Sequence, residues 1–250
     1  MTRRFAGILL CGAILTGLAL ADDALPKAET ILDHFVEVTG GKAAYEKHKS
    51  EVMTGTVDMS AQNVKGTLTR YSAPPDKTYT VMELDGVGKM EEGAAGGVAW
   101  ENSPISGPRV KTGEEKAQSL REAVFNGPLN WRQMYTKVET AGVETIDGED
   151  CYKVVLTPAD GPPETQYYQK KSGLAVRMVT TTSTPMGDFP VEQDLSDYKS
   201  FDGVLMPTKM VEKIGPQQFQ ITIDSVKVNQ DVAADQFNPP ADVKALLEKK

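Results

Sequence analysis

Histidine is nearly missing from this chain: His34 and His48 are the only two. A three-histidine zinc site is therefore excluded, and a Ser-His-Asp triad has almost nothing to draw on. Cysteine is as scarce. Cys11 lies inside an N-terminal apolar run, with a Leu10 too bulky for a lipoprotein cleavage site, and Cys151 is the one cysteine beyond it. A chain that loses that run can form no intramolecular disulfide and depends on a packed core. Basic blocks are also absent, and the formal net charge is -8. That balance argues against nucleic acid and anionic lipid headgroups as partners.

Long apolar runs occur once, at the start. Arg3 and Arg4 precede an apolar stretch from Phe5 to Leu18, and Ala19-Leu20-Ala21 closes it with small residues where signal peptidase reads. Acidic Asp22 and Asp23 follow. This is the layout of a secretory signal, too short for an ordinary membrane span. The expected organisation is a signal peptide over 1–21 and one domain over 22–250, exported to the periplasm or another extracytoplasmic space and soluble there. A retained N-terminal anchor is the rival reading. Cleavage removes two arginines and no acids, taking the net charge to -10.

Ala28, Ile31, Leu32, Phe35 and Val38 share one helical arc, and Gly40-Gly41 supplies the stop. Residues 42–49 read as a second short helix. From Glu51 the period changes to two. Strand-like runs cover 51–59, 64–71 and 78–84, then 138–145, 151–157, 165–170, 174–182, 191–201, 205–214 and 219–228. Turn pairs such as Asp147-Gly148, Ser172-Gly173 and Asp202-Gly203 separate most of them. Asn238-Pro239-Pro240 is expected to close the last strand. Residues 113–137 interrupt the strands with two helical pieces broken at Gly127-Pro128. The fold class is mainly β (α+β), a sandwich or a single curled, barrel-like antiparallel sheet whose concave face the middle helices cover.

Catalytic patterns are thin. His34 and Glu37 have i, i+3 spacing on the polar side of a helix, where solvated charges belong. Ser196 and Lys199 match Ser-x-x-Lys, but in a strand-like stretch that sends the two to opposite faces. Gly88-Lys89 lacks the flanking Gly and Ser/Thr of a phosphate loop. Glu91-Glu92 is an adjacent carboxylate pair, and neighbours on a strand face apart. No enzyme activity, cofactor or metal is expected. What remains is apolar: Trp100, Phe125, Trp131, Met134 and Tyr135. Core packing is one account of them; lining a lipid-sized cavity, with 113–137 as its lid, is the other.

Several stretches resemble the periplasmic lipoprotein-sorting carriers, the LolA-like superfamily. They are Val232-Ala-Ala-Asp-Gln-Phe-Asn-Pro-Pro240, Gly148-Glu-Asp-Cys-Tyr-Lys-Val-Val-Leu-Thr-Pro158 and Gly97-Val-Ala-Trp100. The helix ending at Gly40-Gly41 and Asp202-Gly-Val-Leu-Met-Pro207 resemble uncharacterised exported relatives of those carriers. The resemblance implies an unclosed β-barrel with a helix-covered apolar concavity, holding a lipid or the acyl chains of a lipoprotein. Position and chemistry make Trp100, Phe125, Trp131 and Met134 the candidates for that cavity. The carriers keep an arginine on the strand after the turn corresponding to Pro74-Pro75, where this chain has Lys77 and Tyr79. Tyr79 is the candidate gate at that departure. A second reading makes the same sheet a docking surface for an envelope protein, as in a sensor module; a third is an exported hydrolase.

Overall fold

The alternation that begins at Glu51 becomes one antiparallel sheet, described in a computed structural model over residues 24–184, 187–215 and 217–248. The expected signal segment, 1–21, lies outside the described residues. Two helices come first, α1 (Ala28–Val38) and α2 (Gly41–Lys47). The strands β1 (Glu51–Met59), β2 (Val64–Ala73), β3 (Lys77–Leu84), β4 (Gly88–Ala95), β5 (Val98–Ser103) and β6 (Gly107–Val110) then form a meander. Helices α3 (Gly113–Glu122) and α4 (Trp131–Met134) lie in the crossing to a second meander. That meander is β7 (Lys137–Ile146), β8 (Glu149–Thr157), β9 (Glu164–Gln169), β10 (Ala175–Thr184), β11 (Gly187–Phe201), β12 (Val204–Ile214) and β13 (Gln217–Val228). A 3-10 turn (Ala234–Phe237) and α5 (Ala241–Leu247) end the described chain.

The sheet order is β6-β5-β4-β3-β2-β1-β13-β12-β11-β10-β9-β8-β7. The first and last strands of the chain therefore pair at its centre, Glu51 opposite Val228 and Val57 opposite Ile221. The outer strands β6 and β7 do not pair, so the barrel is unclosed, as expected.

The curl can be read from one helix. α3 packs on β4 and β5 and also on β10. Seven steps separate β4 from β10 in the sheet, about 34 Å if flat at ~4.8 Å per strand. A ten-residue helix reaches only about 15 Å. The sheet must bend round to bring those strands under one helix, which leaves a concave inner face and a convex outer one.

α1 seals part of the inner face. Ala28, Ile31, Leu32 and Val36 are buried, Val36 rather than Val38 closing the arc. They pack with Val154, Leu156, Tyr168 and Leu195, and the Phe35 ring meets Tyr168 edge-on at 5.5 Å. The helix stops where Thr39 turns its hydroxyl back onto the Phe35 carbonyl at 2.6 Å. Gly40, at φ 131°, then passes so close to the β11–β12 turn that a Cβ would stand 2.3 Å from the Gly203 carbonyl oxygen. Only glycine fits that approach.

Three expectations need correction. β4 and β6 were not anticipated; Gly88–Ala95 and Gly107–Val110 are short of β-branched residues, and pairing with β3 and β5 overrides their weak propensity. Asn238-Pro239-Pro240 does not close the last strand, which ends at Val228. It joins the 3-10 turn to α5, where Pro240 sits at the N-cap of the helix.

Candidate ligand-binding face

Paired residues in an antiparallel ladder point the same way, so register sorts side chains onto the two faces. One row on the inner face runs Ile223–Gly55–Leu68–Met82–Met90 across five strands. Met53, on the row below, joins Val226, and Met210 on β12 faces Ile221 on β13. These side chains form a cluster in which Val57, Leu68 and Ile223 are buried while Met53, Met59, Met82 and Met210 are half-buried. Every member comes from a strand. α1 covers the inner face on one side, and on the other Ala123 and Leu120 at the end of α3 rest on Ala94 and Ala99. Between them lies a methionine-lined trough.

Carboxyl groups also lie on the inner face and at the end of α3. Glu164 is 7% exposed, and burial pushes its carboxyl up to about 7. Glu122, accessible to solvent at the end of α3, still lies deep among protein atoms, as a group on the wall of a concavity does. Desolvation raises it, and the charge of Glu92 adds to the rise. Glu212 is raised by burial and by Glu122 and Glu92. Lys111 partly answers Glu92, its Nζ lying 3.3 Å from the carboxylate and 3.1 Å from Ser119 Oγ.

The sequence candidates fall into two groups. Phe125, Trp131 and Met134 belong to the crossing segment between α3 and β7. Phe125 is buried and donates its N–H to the Pro75 carbonyl at 2.9 Å. Trp131 is buried with the α1 cluster and donates Nε1–H to Asp33 Oδ1 at 3.1 Å. Arg132 grips the same Asp33 with two bonds of 2.8 and 2.7 Å and stacks over the Trp131 ring. The Arg132 hydrogen bond holds the Asp33 carboxyl below the usual range. Met134 is half-buried.

Tyr79 and Trp100 lie on the other face. Their row is Val52–Tyr71–Tyr79–Gly93–Trp100–Val110. Tyr71 and Tyr79 stack at 6.0 Å, and Tyr79 meets Trp100 at 5.9 Å. The indole lies over Gly93, where a Cβ would come within 2.6 Å of the ring. Tyr79 donates its hydroxyl proton to Glu91 at 2.6 Å, and burial, followed by that bond, pushes its pKa upward. The C-terminal segment covers this side of the sheet, with Phe237 under Lys77 and Val243 fully buried. The aromatic row and the crossing segment are thus on opposite sides of the sheet.

The remaining motifs disperse. Glu91 turns to Tyr79 and Lys89 while Glu92 turns to Lys111, on opposite faces of β4. Ser196 and Lys199 are exposed on β11. His34 and Glu37 face solvent 3.4 Å apart. His48 is buried against Glu51 at 2.9 Å. Among the described residues no three His, Cys, Asp or Glu side chains group as metal ligands, and no helix is long and apolar enough to cross a membrane. Two open recesses sit at strand ends, about 450 Å³ beside Lys65 and Glu83 and about 360 Å³ beside Lys49 and Asn229. Neither is lined by methionine.

Sequence reasoning missed the trough, because its residues are scattered from Met53 to Val226 and only the β1–β13 pairing assembles them. The usable signal was methionine recurring at inward positions of predicted strands.

No family model matches the chain, and no curated protein matches it. Solved structures do. A LolA superfamily protein from Nitrosomonas europaea superposes with a TM-score of 0.58 at 14% identity, over 86% of this chain and 99% of that one. A DUF1329 family protein from Desulfovibrio piger gives 0.55 at 16% identity, over 84% and 97%. At such identities the likeness speaks for fold alone, and it agrees with the unclosed, helix-covered sheet. The chain has a LolA-like fold.

Proposed function

We propose that this protein is an exported, soluble carrier that holds a lipid, or the acyl chains of a lipoprotein, in the methionine-lined trough. One observation carries the reading: an inner-face apolar cluster built wholly from strands, with half-buried methionines around a buried centre, between two helix-covered regions. Each acyl CH₂ moved from water into such a surface is worth about 0.8 kcal/mol, so a chain of a dozen carbons binds usefully even after the cost of ordering it. Methionine suits the task because its unbranched, polarisable side chain repacks around different chains. α3 serves as the lid: none of its ten residues is buried, so it can lift at little cost. Phe125, Trp131 and Met134 hinge that lid to α1 and to the β2–β3 turn. Tyr79 and Trp100 shape the sheet from behind.

The test is native mass spectrometry of the protein purified from the envelope of the producing cell, followed by lipid analysis. An intact mass matching residues 22–250 is expected, together with a stoichiometric acyl ligand that Leu68→Asp or Met82→Asp eliminates while the far-UV spectrum is kept. A protein that carries no lipid and takes up neither fatty acid nor phospholipid would defeat the carrier reading.

A further inference from the structure

The sheet ends in two edges that are finished differently. β6 is four residues long, and α5 lies against it. β7 is ten residues long and pairs only with β8, so its other side has no ladder among the described residues. The β7–β8 turn is a two-residue loop with Asp147 at φ 50° and Gly148 at φ 85°, which makes Ile146 and Glu149 a hydrogen-bonded pair. Alternation from that pair directs the N–H and C=O groups of Val143 and Thr145 away from β8, to the open side. The large apolar side chains left exposed among the described residues are Leu25, Ile105 and Val143, and two of them stand here. Val143 is in β7, and Leu25 precedes Pro26, whose carbonyl accepts a 2.6 Å bond from Thr140 Oγ1.

An open edge is a template for another strand. This one is complementary to itself. Lys137 and Glu144 lie on the outer face, opposite Thr157 and Cys151 of β8, while Val138 and Val143 lie on the inner face, opposite Leu156 and Tyr152. The bulge between Thr140 and Gly142 is what lets positions seven apart share a face. A second copy laid antiparallel along this edge, with its Glu144 opposite Lys137, sets Val138 against Val143 and Glu139 against Gly142. Each pair then points to one side of the sheet. The bulge meets its own copy at the two-fold axis, so the two kinks coincide. Sliding the copies by two residues would set Glu139 against Glu144, two like charges. Lys137 and Glu144 have partners within the chain, Glu139 at 2.6 Å and Lys153 at 2.8 Å. Both are solvent-accessible pairs, weak enough for a further opposite charge to join.

We infer that a second copy of this chain docks along β7, antiparallel and two-fold, so that one sheet runs through both protomers. The contact is isologous: each copy's Lys137 meets the other's Glu144, and each Val138 the other's Val143. A charged peptide fits this edge less well, because Lys137, Glu139 and Glu144 mix both signs and set up no field that selects one. The two-fold axis stands perpendicular to the sheet, so the concave faces of both copies open on the same side and the two troughs lie abreast. The inference is independent of the carrier reading, since the edge is open whatever the trough holds.

Sedimentation equilibrium of the protein purified from the envelope is the experiment. The weight-average mass is expected to climb from that of one chain toward twice that value between ~1 and ~200 µM, the range suited to an interface of modest area. Val143→Pro removes a donor from the open edge and leaves the β8 ladder alone, so association should weaken about tenfold or more. Lys137→Glu sets like charges together at both ends of the contact and should weaken it by about tenfold as well. Adding Glu144→Lys to that variant restores opposite charges and should recover most of the loss. Both side chains are exposed, so the charge variants keep the test sound should Val143→Pro fail to fold. A chain that stays monomeric over the whole range, or a dimer indifferent to Val143→Pro and Lys137→Glu, overturns the inference. So does a charge-swapped variant that associates no better than Lys137→Glu alone.

Discussion

Two helices lie over the same concave face, and they behave differently. α1 buries Ala28, Ile31, Leu32 and Val36, closing its part of the sheet as dry core. α3, of similar length, buries none of its own residues and is held by polar contacts such as Glu115 with Arg109 and Ser119 with Lys111, beside the packing of Leu120. One helix completes the protein's interior; the other roofs a surface that the protein leaves half covered. On one sheet, the difference separates a part sealed as core from a part left half covered.

Breaking the sealed side should cost most. Leu32→Ala is expected to lower unfolding free energy by about 2–5 kcal/mol in urea titration, since a 4% exposed leucine leaves a cavity on removal. The matching change on the roof, Leu120→Ala, should cost under ~1 kcal/mol and show itself in faster ligand release. Equal losses at the two sites would erase the contrast.

Glu164 tests the electrostatics of the open side. Its folded pKa of about 7 lies above the ordinary carboxylate value of 4.5. The folded state therefore holds its proton longer than the unfolded one. Its protonated form favours folding at low pH, and that contribution is lost as pH rises from 4.5 through 7. Glu164→Gln should raise stability at pH 8 by about 2 kcal/mol and leave it unchanged at pH 4, as read by paired denaturation curves.

Asp33 tests the link from α1 to the crossing segment that follows α3, because it holds Trp131 and Arg132 to α1. Its pKa is depressed, so it stabilises above the unfolded value near 3.8 and the effect vanishes as pH falls through the folded pKa. Asp33→Asn should cost under ~1 kcal/mol at pH 7, since the pair is half exposed, and nothing at pH 2. Hydrogen exchange supplies the smallest effect: in that variant, amides of 123–135 should exchange a few-fold faster while those of α1 hold.

The strands were legible where β-branched residues alternate with polar ones, as in Val204–Ile214, and where a turn pair such as Asp202-Gly203 marks the boundary. They were illegible where glycine, alanine and charged residues make the run, as in Lys89-Met-Glu-Glu-Gly-Ala-Ala95, whose strand character comes from its neighbours. The aromatic candidates were visible in the sequence, but the face each would take was not. Trp100 looks inward-facing by composition, yet it lies over Gly93 on the outer face. The second contact of α3 carried no local pattern, because only the curl of the sheet brings it onto β10 as well as β4 and β5.

The pairing of β1 with β13 has a consequence for the order of events during synthesis. Each meander consists of neighbours in sequence and can take shape as it emerges. The apolar trough cannot, because Met53, Leu68 and Met82 come from one meander and Met210, Ile221 and Ile223 from the other. It comes into existence only when the last strand docks beside the first. An incompletely synthesised chain therefore presents no assembled apolar groove; that surface is the last part of the sheet to be built.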